Sequence, residues 1–458
     1  MVLKTDNPAE SLLSEPNKGL AQTFERKRLE YKDSSAVFFQ ESGDFSKQFA
    51  HVYSVRLAEL RTVLSELVSV KWQKLKITRL ADLEKLEHRR CIVIGTLFKH
   101  QQWKPSILRE LSDEHQLTHQ VSRENYCSED DQAFLEDEML RVKLVGSCVD
   151  IKNIITGVVC AVIGHEKEDG TFLVENFYFP GHIPKSPASY SASQGKLLFI
   201  SGLDMTTGDN LQLNLLNEWI CGMIGDPNSQ NKVSSIVRVI IAGNSVRSSA
   251  MAHHSKGHME GRAQDIMFAK EVSDSTKRLD EFLKTIVECC SVTLMPGQHD
   301  PTNVMIPQRV LHPCLLPITS RHKNFRGGSN PWIGKVGSRV VMGSSGQPIK
   351  DIMKVSGVTS VTALEWLERT LEWRHLCPTA PDTLPSFPYC EKDSFIMNVS
   401  PDVYFMGNAN KFETKLVTGI ENQKTRLVCI PRFYQTKTVI LVDMESLDVQ
   451  PISFGAKL

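Results

Sequence analysis

Val292-Thr293-Leu294-Met295-Pro296 runs directly into Gly297-Gln298-His299-Asp300. The first part reads as a short buried strand. Pro-Gly stops it at a tight turn, where the chain presents an imidazole and a carboxylate. The same design recurs on both sides. Residues 196–201 and 237–242 read as strands that end in Gly202-Leu203-Asp204 and Gly243-Asn244-Ser245. Val403-Tyr404-Phe405-Met406 ends in Gly407-Asn408-Ala409-Asn410, and a further strand is expected over 339–342. Between these runs the spacing is helical, over 211–222, through Leu279, Phe282, Leu283, Ile286 and Val287, and over 361–373. Strands alternating with helices predict a layered α/β domain.

Upstream the period changes. Phe49, Val52, Tyr53, Leu57, Leu60, Leu64 and Leu67 form one helical stripe. Strand-like runs follow over 91–98, 141–146, 157–164 and 171–179, the last two joined through Glu168-Asp169-Gly170. An Asp-Gly turn between short strands with glycines at their bends predicts a small closed barrel of the OB type. Residues 180–193, rich in Pro, Ser and Gly, read as a linker, and the polar stretch 1–43 as a flexible or loosely docked arm. The expected division is an arm over 1–43, a helix and barrel over 44–185, and the layered domain over 190–458.

Composition narrows the function classes. The 458 residues carry 53 Lys plus Arg and 53 Asp plus Glu, a formal net charge of +0, which disfavours a dedicated duplex-DNA binder. No apolar leader is visible at Met1–Leu13 and no run is long enough to span a bilayer, so no membrane role is expected. The 11 cysteines include no Cys-x-x-Cys and read as reduced thiols.

Strand ends that carry Asp, His and Asn after glycines are how two-metal phosphoesterases hold their cations, and Gly297-Gln298-His299-Asp300 is one residue from their Gly-Asn-His-Asp. In that pattern Asp and His follow the first strand and a bridging Asp the second. Asn and a catalytic His follow the third, and two further histidine sites come later. Here the slots hold Gly202 and Asp204, then Asn244, then Gln298 and His299, then Asn408 and Asn410. His375 is the one candidate for the remaining site. Asp204, His299 and His375 without a bridging carboxylate do not hold a dinuclear centre, because two divalent cations need anionic ligands between them. No catalytic, cofactor or metal residue is therefore assigned.

These ordered but altered strand ends resemble the small (B) subunits of the replicative DNA polymerases, the delta branch above all. So do Gly95-Thr96-Leu97-Phe98-Lys99 with Pro105-Ser106-Ile107-Leu108-Arg109-Glu110, Asp300-Pro301-Thr302-Asn303 and Leu311-His312-Pro313-Cys314. Pro378-Thr379-Ala380-Pro381-Asp382-Thr383-Leu384 and Gln450-Pro451-Ile452-Ser453-Phe454 add to it. The resemblance implies a two-domain α+β/α/β chain, an OB-fold barrel followed by an inactive calcineurin-like phosphoesterase domain. It implies a non-catalytic nuclear scaffold for DNA replication and repair. Such a scaffold docks the carboxyl-terminal domain of the polymerase delta catalytic subunit and a further accessory subunit, with weak or indirect DNA contact and no cofactor.

Two other readings stand beside it. A metallophosphoesterase or nuclease with unusual ligands would use Asp204, His299 and His375. A single-strand-binding barrel would use Phe172, Phe177, Tyr178 and Phe179, against the acidic Glu129-Asp130-Asp131 and Glu136-Asp137-Glu138. His253-His254 with His258, in the polar insert 248–262, reads as an exposed loop. Gly327 to Lys335 lacks phosphate-loop spacing and reads as a turn. Trp366 and Trp373 read as core.

Overall fold

The computed structural model describes residues 23–39, 48–83, 85, 88–104, 125–185, 194–207, 211–247, 258–388, 391–419 and 422–455. Asp44-Phe45-Ser46, Pro105 to Glu110, most of the linker, and His253-His254 lie outside them, as does the side chain of His258. The chain divides into two compact units that alternate along the sequence. One is Gln40–Pro184 with Pro348–Ser400, the other Met1–Phe39, Lys185–Gln347 and Pro401–Leu458. This differs from the linear division expected above in two places. Residues 348–400 group with the barrel. The described part of the arm supplies a strand, β1 (Tyr31–Asp33), to the layered unit.

The barrel unit opens with helix α1 (Ala50–Lys71) and continues through β2 (Ile77–Thr78), β3 (Cys91–His100), β4 (Gln132–Glu136), β5 (Arg141–Val145), β6 (Val159–Glu166) and β7 (Phe172–Tyr178). The order β2-β3-β4-β5-β7-β6, with β6 pairing back to β3, closes five strands into a ring. Within the ring β5 and β7 run parallel and the other pairs antiparallel. Closure leaves few unpaired edges. At Gly164 the β6–β7 register shifts, and a Cβ there would stand 1.9 Å from the Leu173 carbonyl oxygen, so only glycine fits. α1 lays Leu57, Leu60, Leu64 and Val68 on Ile92, Ile94, Val159, Ala161 and Ile163. Each such side chain, removed from water, contributes roughly 2 kcal/mol.

Arg56 lies on that same buried face of α1, with no exposed surface. Its Nε donates to Asp393 Oδ2 at 2.6 Å, and its other nitrogens donate to the carbonyls of Gly157, Pro378 and Ala380 at 2.7–3.0 Å. One guanidinium thus holds the helix, a barrel turn and the 378–393 segment together. It is one of several ties between residues 348–400 and the barrel, beside Lys99 Nζ and Gln101 Nε2, which donate to Val355 O, and Arg369, which donates to Asn153 Oδ1.

The layered unit contains two six-stranded sheets. Its elements are β8 (Lys196–Ile200), α2 (Leu211–Cys221), α3 (Pro227–Ser234), β9 (Ile236–Ala242), α4 (His258–Cys289), β10 (Ser291–Met295), β11 (Phe325–Gly327), β12 (Trp332–Val336), β13 (Arg339–Ser344), β14 (Val403–Ala409), β15 (Glu413–Thr418), β16 (Lys424–Pro431), β17 (Thr438–Asp443) and β18 (Val449–Ser453). One sheet is ordered β11-β10-β9-β8-β17-β18, the other β1-β12-β13-β14-β16-β15. Alternate residues of the first sheet face opposite cores. Leu197, Phe199, Ile240 and Met295 meet Trp332, Val341, Phe405 and Val428 of the second sheet. Leu198, Ile200, Val239 and Leu294 meet Leu216, Trp219, Leu283 and Ile286 of the helices. Both faces are covered, so these strands are mostly apolar on both sides, with Arg238 of β9 and Thr293 of β10 as a buried, mutually hydrogen-bonded exception. Trp332–Val336 is a strand, not the expected turn. It pairs antiparallel with β13, and Gly334 sits under the Trp332 ring, where a Cβ would meet ring carbon at 2.3 Å.

Candidate functional site

The carboxyl ends of β8, β9 and β10, which run parallel, open on one edge of their sheet, the place where α/β sheets bind ligands. Gly202 N–H donates to Gly243 O at 2.9 Å, and Asp204 N–H to Asn244 O at 3.3 Å. The first two strand ends are therefore joined by backbone. Asn244 joins the third, its Oδ1 accepting from His299 N–H at 3.1 Å. Asp300 completes the link. Its buried carboxylate accepts from Gly297 N–H and Val246 N–H, each at 2.8 Å. Burial pushes its carboxyl up from the usual range, against those backbone donors.

Asn408 supplies the fourth corner. Its Nδ2 donates to Ala242 O at 3.1 Å and Ser345 O at 3.0 Å, and its backbone N–H to Ser201 Oγ at 2.9 Å. Asp204, Asn244 and Asn408 all have left-handed backbone, with φ of 52°, 54° and 56°. Asn and Asp tolerate that region better than other residues with a Cβ. The corners leave little room between them. A Cβ on Gly297 would stand 2.3 Å from Asn244, and one on Gly243 2.5 Å from Ser345 Oγ.

A network of neutral amides backs these corners. Asn330 Nδ2 donates to Gln308 Oε1 at 2.8 Å and Gln347 Oε1 at 3.0 Å, and Gln347 Nε2 donates to Gln308 Oε1 at 2.8 Å. Gln308 Nε2 donates to Gly297 O at 3.1 Å. Ser345 N–H donates to Asn330 Oδ1 at 2.9 Å, and Ser345 Oγ to Pro296 O at 2.6 Å. Buried amides that satisfy one another in this way hold loops rigidly without charge. None of Gln308, Asn330, Ser345 and Gln347 was singled out by sequence, because a lone amide carries no motif.

The remaining slot residues divide clearly. Asp204 is buried, and its Oδ1 accepts from Thr206 Oγ1 at 2.5 Å. Gln298 and Asn410 are exposed, and His299 is half-buried. His375 does not join them. It lies in the barrel unit, where Nε2 contacts Asp393 Oδ2 at 2.9 Å and Nδ1 accepts from Cys377 N–H at 3.2 Å. Both ring nitrogens are occupied. Burial and then the Arg56 cation lower its pKa to about 4, against the pull of Asp393. As a candidate ligand it is corrected to a neutral core histidine. Among the described residues no group of three His, Cys, Asp or Glu side chains converges as a metal site would require.

Other candidates resolve similarly. Trp366 and Trp373 are buried, as expected. Phe172 fills the core, Tyr178 stands edge-on to Trp72 at 5.0 Å, and Phe179 lies 6.2 Å from Trp373. These rings are engaged within their own unit.

Residues 48–177 match the family model described as the DNA polymerase delta subunit OB-fold domain, and residues 197–414 that of the B-subunit of DNA polymerase alpha/epsilon. The chain is 39% identical over 433 residues to DNA polymerase delta subunit 2 of Drosophila melanogaster, covering 94% of this chain and 98% of that one. The chain belongs to the family of DNA polymerase delta small subunits. Its similarity to the DNA polymerase delta small subunit of Oryza sativa subsp. japonica is 38% over 94% of this chain and 99% of the relative. That to the Saccharomyces cerevisiae small subunit is 28% over 89% and 90%. The five-stranded ring thus lies within the OB-fold match, and the altered strand ends lie within the second match, residues 197–414.

Proposed function

We propose that this chain is a non-catalytic accessory subunit of DNA polymerase delta and that its layered domain is a phosphoesterase-like fold used as a scaffold. The observation that carries the reading is the chemistry of the strand ends. Where a dinuclear site needs a bridging carboxylate and imidazoles, Asn244 and Asn408 hold backbone groups through neutral amides. The two sheets with helices outside and the parallel strand ends on one edge support the fold assignment. A scaffold needs rigid loops and no cation, and the amide network suits that need.

The names of the relatives support a place in the polymerase delta assembly. On this reading the chain docks the carboxyl-terminal domain of the catalytic subunit and holds a further accessory subunit, in the nucleus, during replication and repair. DNA contact is weak or indirect. The formal net charge of +0 and the exposed Glu129 and Asp130 beside the barrel disfavour strong phosphate binding. Tagged chain purified from its own cells, in stoichiometric company with a polymerase catalytic chain, is the expected result. Recovery without any polymerase catalytic chain would reject the scaffold role.

A further inference from the structure

We propose that Cys221 and Cys289 form an oxidisable dithiol that a hydroperoxide closes to an intrachain disulfide. Cys221 is the last residue of α2 and Cys289 the last of α4. Their sulfurs lie 3.7 Å apart, in contact, and both residues are half-buried. A disulfide needs an S–S separation of about 2.05 Å, so the two atoms approach by less than the length of one S–S bond.

The surroundings favour reaction at this pair over the other thiols. Cys221 Sγ also contacts Asn217 Oδ1 at 3.5 Å and Thr285 O at 3.8 Å. Asn217 and Thr285 line a groove of about 680 Å³ together with Leu213, Met223 and Phe282, so the Cys221 sulfur lies directly behind two residues of its wall. Arg26 anchors nearby, its Nη2 donating to Ile220 O at 2.6 Å, and brings a cation to the helix end. The Cys289 thiol is lowered to about 7, first by its hydrogen bond with Cys221 and then by Arg26, against burial, while the same contact pushes Cys221 up. Arg26 pulls both thiols down, so either sulfur can attack as the thiolate with the other resolving, Cys289 being the one that the contact also lowers. By contrast, Cys91, Cys160, Cys290, Cys377 and Cys429 are buried.

The chemistry balances with a hydroperoxide as the oxidant. When Cys289 is the attacker, its thiolate attacks the terminal peroxide oxygen, the O–O bond breaks, and the alkoxide or hydroxide leaves with a proton from solvent. The resulting sulfenic acid is attacked by Cys221, an S–S bond forms, and water departs with the Cys221 proton. Two thiols are oxidised by two electrons and one peroxide is reduced. The product ties the carboxyl ends of α2 and α4 together.

The test uses the reduced full-length chain, treated with hydrogen peroxide, blocked with iodoacetamide and digested without reductant for mass spectrometry. The expected product joins the peptides of residues 221 and 289 with loss of two hydrogens. It reverts with dithiothreitol, persists in Cys290→Ser and disappears in Cys221→Ser. Three outcomes overturn the proposal. In one, both thiols are alkylated after a dose that oxidises the exposed Cys148 and Cys314. In another, Cys289 pairs with Cys290. In the last, Cys289 stops at a sulfinic acid with Cys221 alkylated. The wild-type crosslink decides the question even where a serine variant fails to fold.

Discussion

Replacing Arg56 with methionine removes the cation that pairs with buried Asp393. The geometry sets the size of the loss. Arg56 Nε and Asp393 Oδ2 are 2.6 Å apart, and neither side chain has exposed surface. Removing one partner of such a pair leaves a buried, unpaired carboxylate, at a cost of roughly 3–5 kcal/mol. The carbonyls of Gly157, Pro378 and Ala380 lose their donor as well, each worth about 1 kcal/mol or more. Water entry and relaxation offset part of this, so a net loss of about 4 kcal/mol is expected. Hydrogen exchange reads it locally. Protection of the β3 and β6 amides should fall by a factor on the order of a thousand, since each 1.4 kcal/mol is about tenfold.

The same variant carries a second, independent signature. In the native chain the Arg56 cation helps to hold His375 neutral. Without it, His375 can take a proton and become the counter-ion of Asp393. The cost of Arg56→Met should therefore shrink as pH falls from 7.5 to 5.5. A loss of protection under tenfold at pH 7.5, or one that grows on acidification, would refute the assignment of Arg56 as the tie between helix α1 and the 378–393 segment.

Further outcomes are expected. The folded pKa of His375, about 4, lies below its unfolded value, so the unfolded chain binds the extra proton between about pH 6.5 and 4. The stabilisation is complete above that window and is lost as pH falls through it, about 2 kcal/mol by pH 5, and His375→Gln should flatten this slope in urea unfolding monitored by barrel-unit exchange. Gly297→Ala should cost about 2 kcal/mol or more and lower the melting temperature, because its Cβ would sit 2.3 Å from Asn244. Asn408→Leu removes the donor to the Ala242 and Ser345 carbonyls and should cost roughly 2–3 kcal/mol by the same measurement. Thr362→Ala breaks a capping box with Glu365 and should cost about 1 kcal/mol, read as faster exchange in the helix Ala363–Glu372.

Much of the layered unit was legible because burial on both faces makes its strands largely apolar. Leu197 to Ile200 and Val239 to Ala242 show this, and each run reaches a glycine within two residues. The edge strands were harder to read. Trp332–Val336 alternates correctly, yet Gly334 breaks the apolar pattern for the sake of the Trp332 ring. Tyr31–Asp33 is too short and polar to signal a strand, and it takes its pairing from Trp332–Val336. The strand-end slots were legible as a list of residues. Their wiring was not, since Asn330, Gln308 and Gln347 gain meaning only when folding brings them within hydrogen-bond reach. Residues 348–400 join the barrel unit through pairs distant in sequence, such as Arg56 with Asp393, 337 positions apart, and Lys99 with the Val355 carbonyl, 256 apart. His375 looked like a ligand from its place in the chain order, and became a core residue once Asp393 and Cys377 were seen to occupy its nitrogens.

On the scaffold reading, the strand ends around Asn244, His299 and Asn408 serve as architecture and not as a metal centre. The most direct test is metal content after equilibrium dialysis of the purified full chain against manganese and zinc, with phosphodiester hydrolysis measured on the same sample. No stoichiometric metal and no hydrolysis above buffer are expected. Two equivalents of metal per chain, with hydrolysis abolished by His299→Ala, would contradict it.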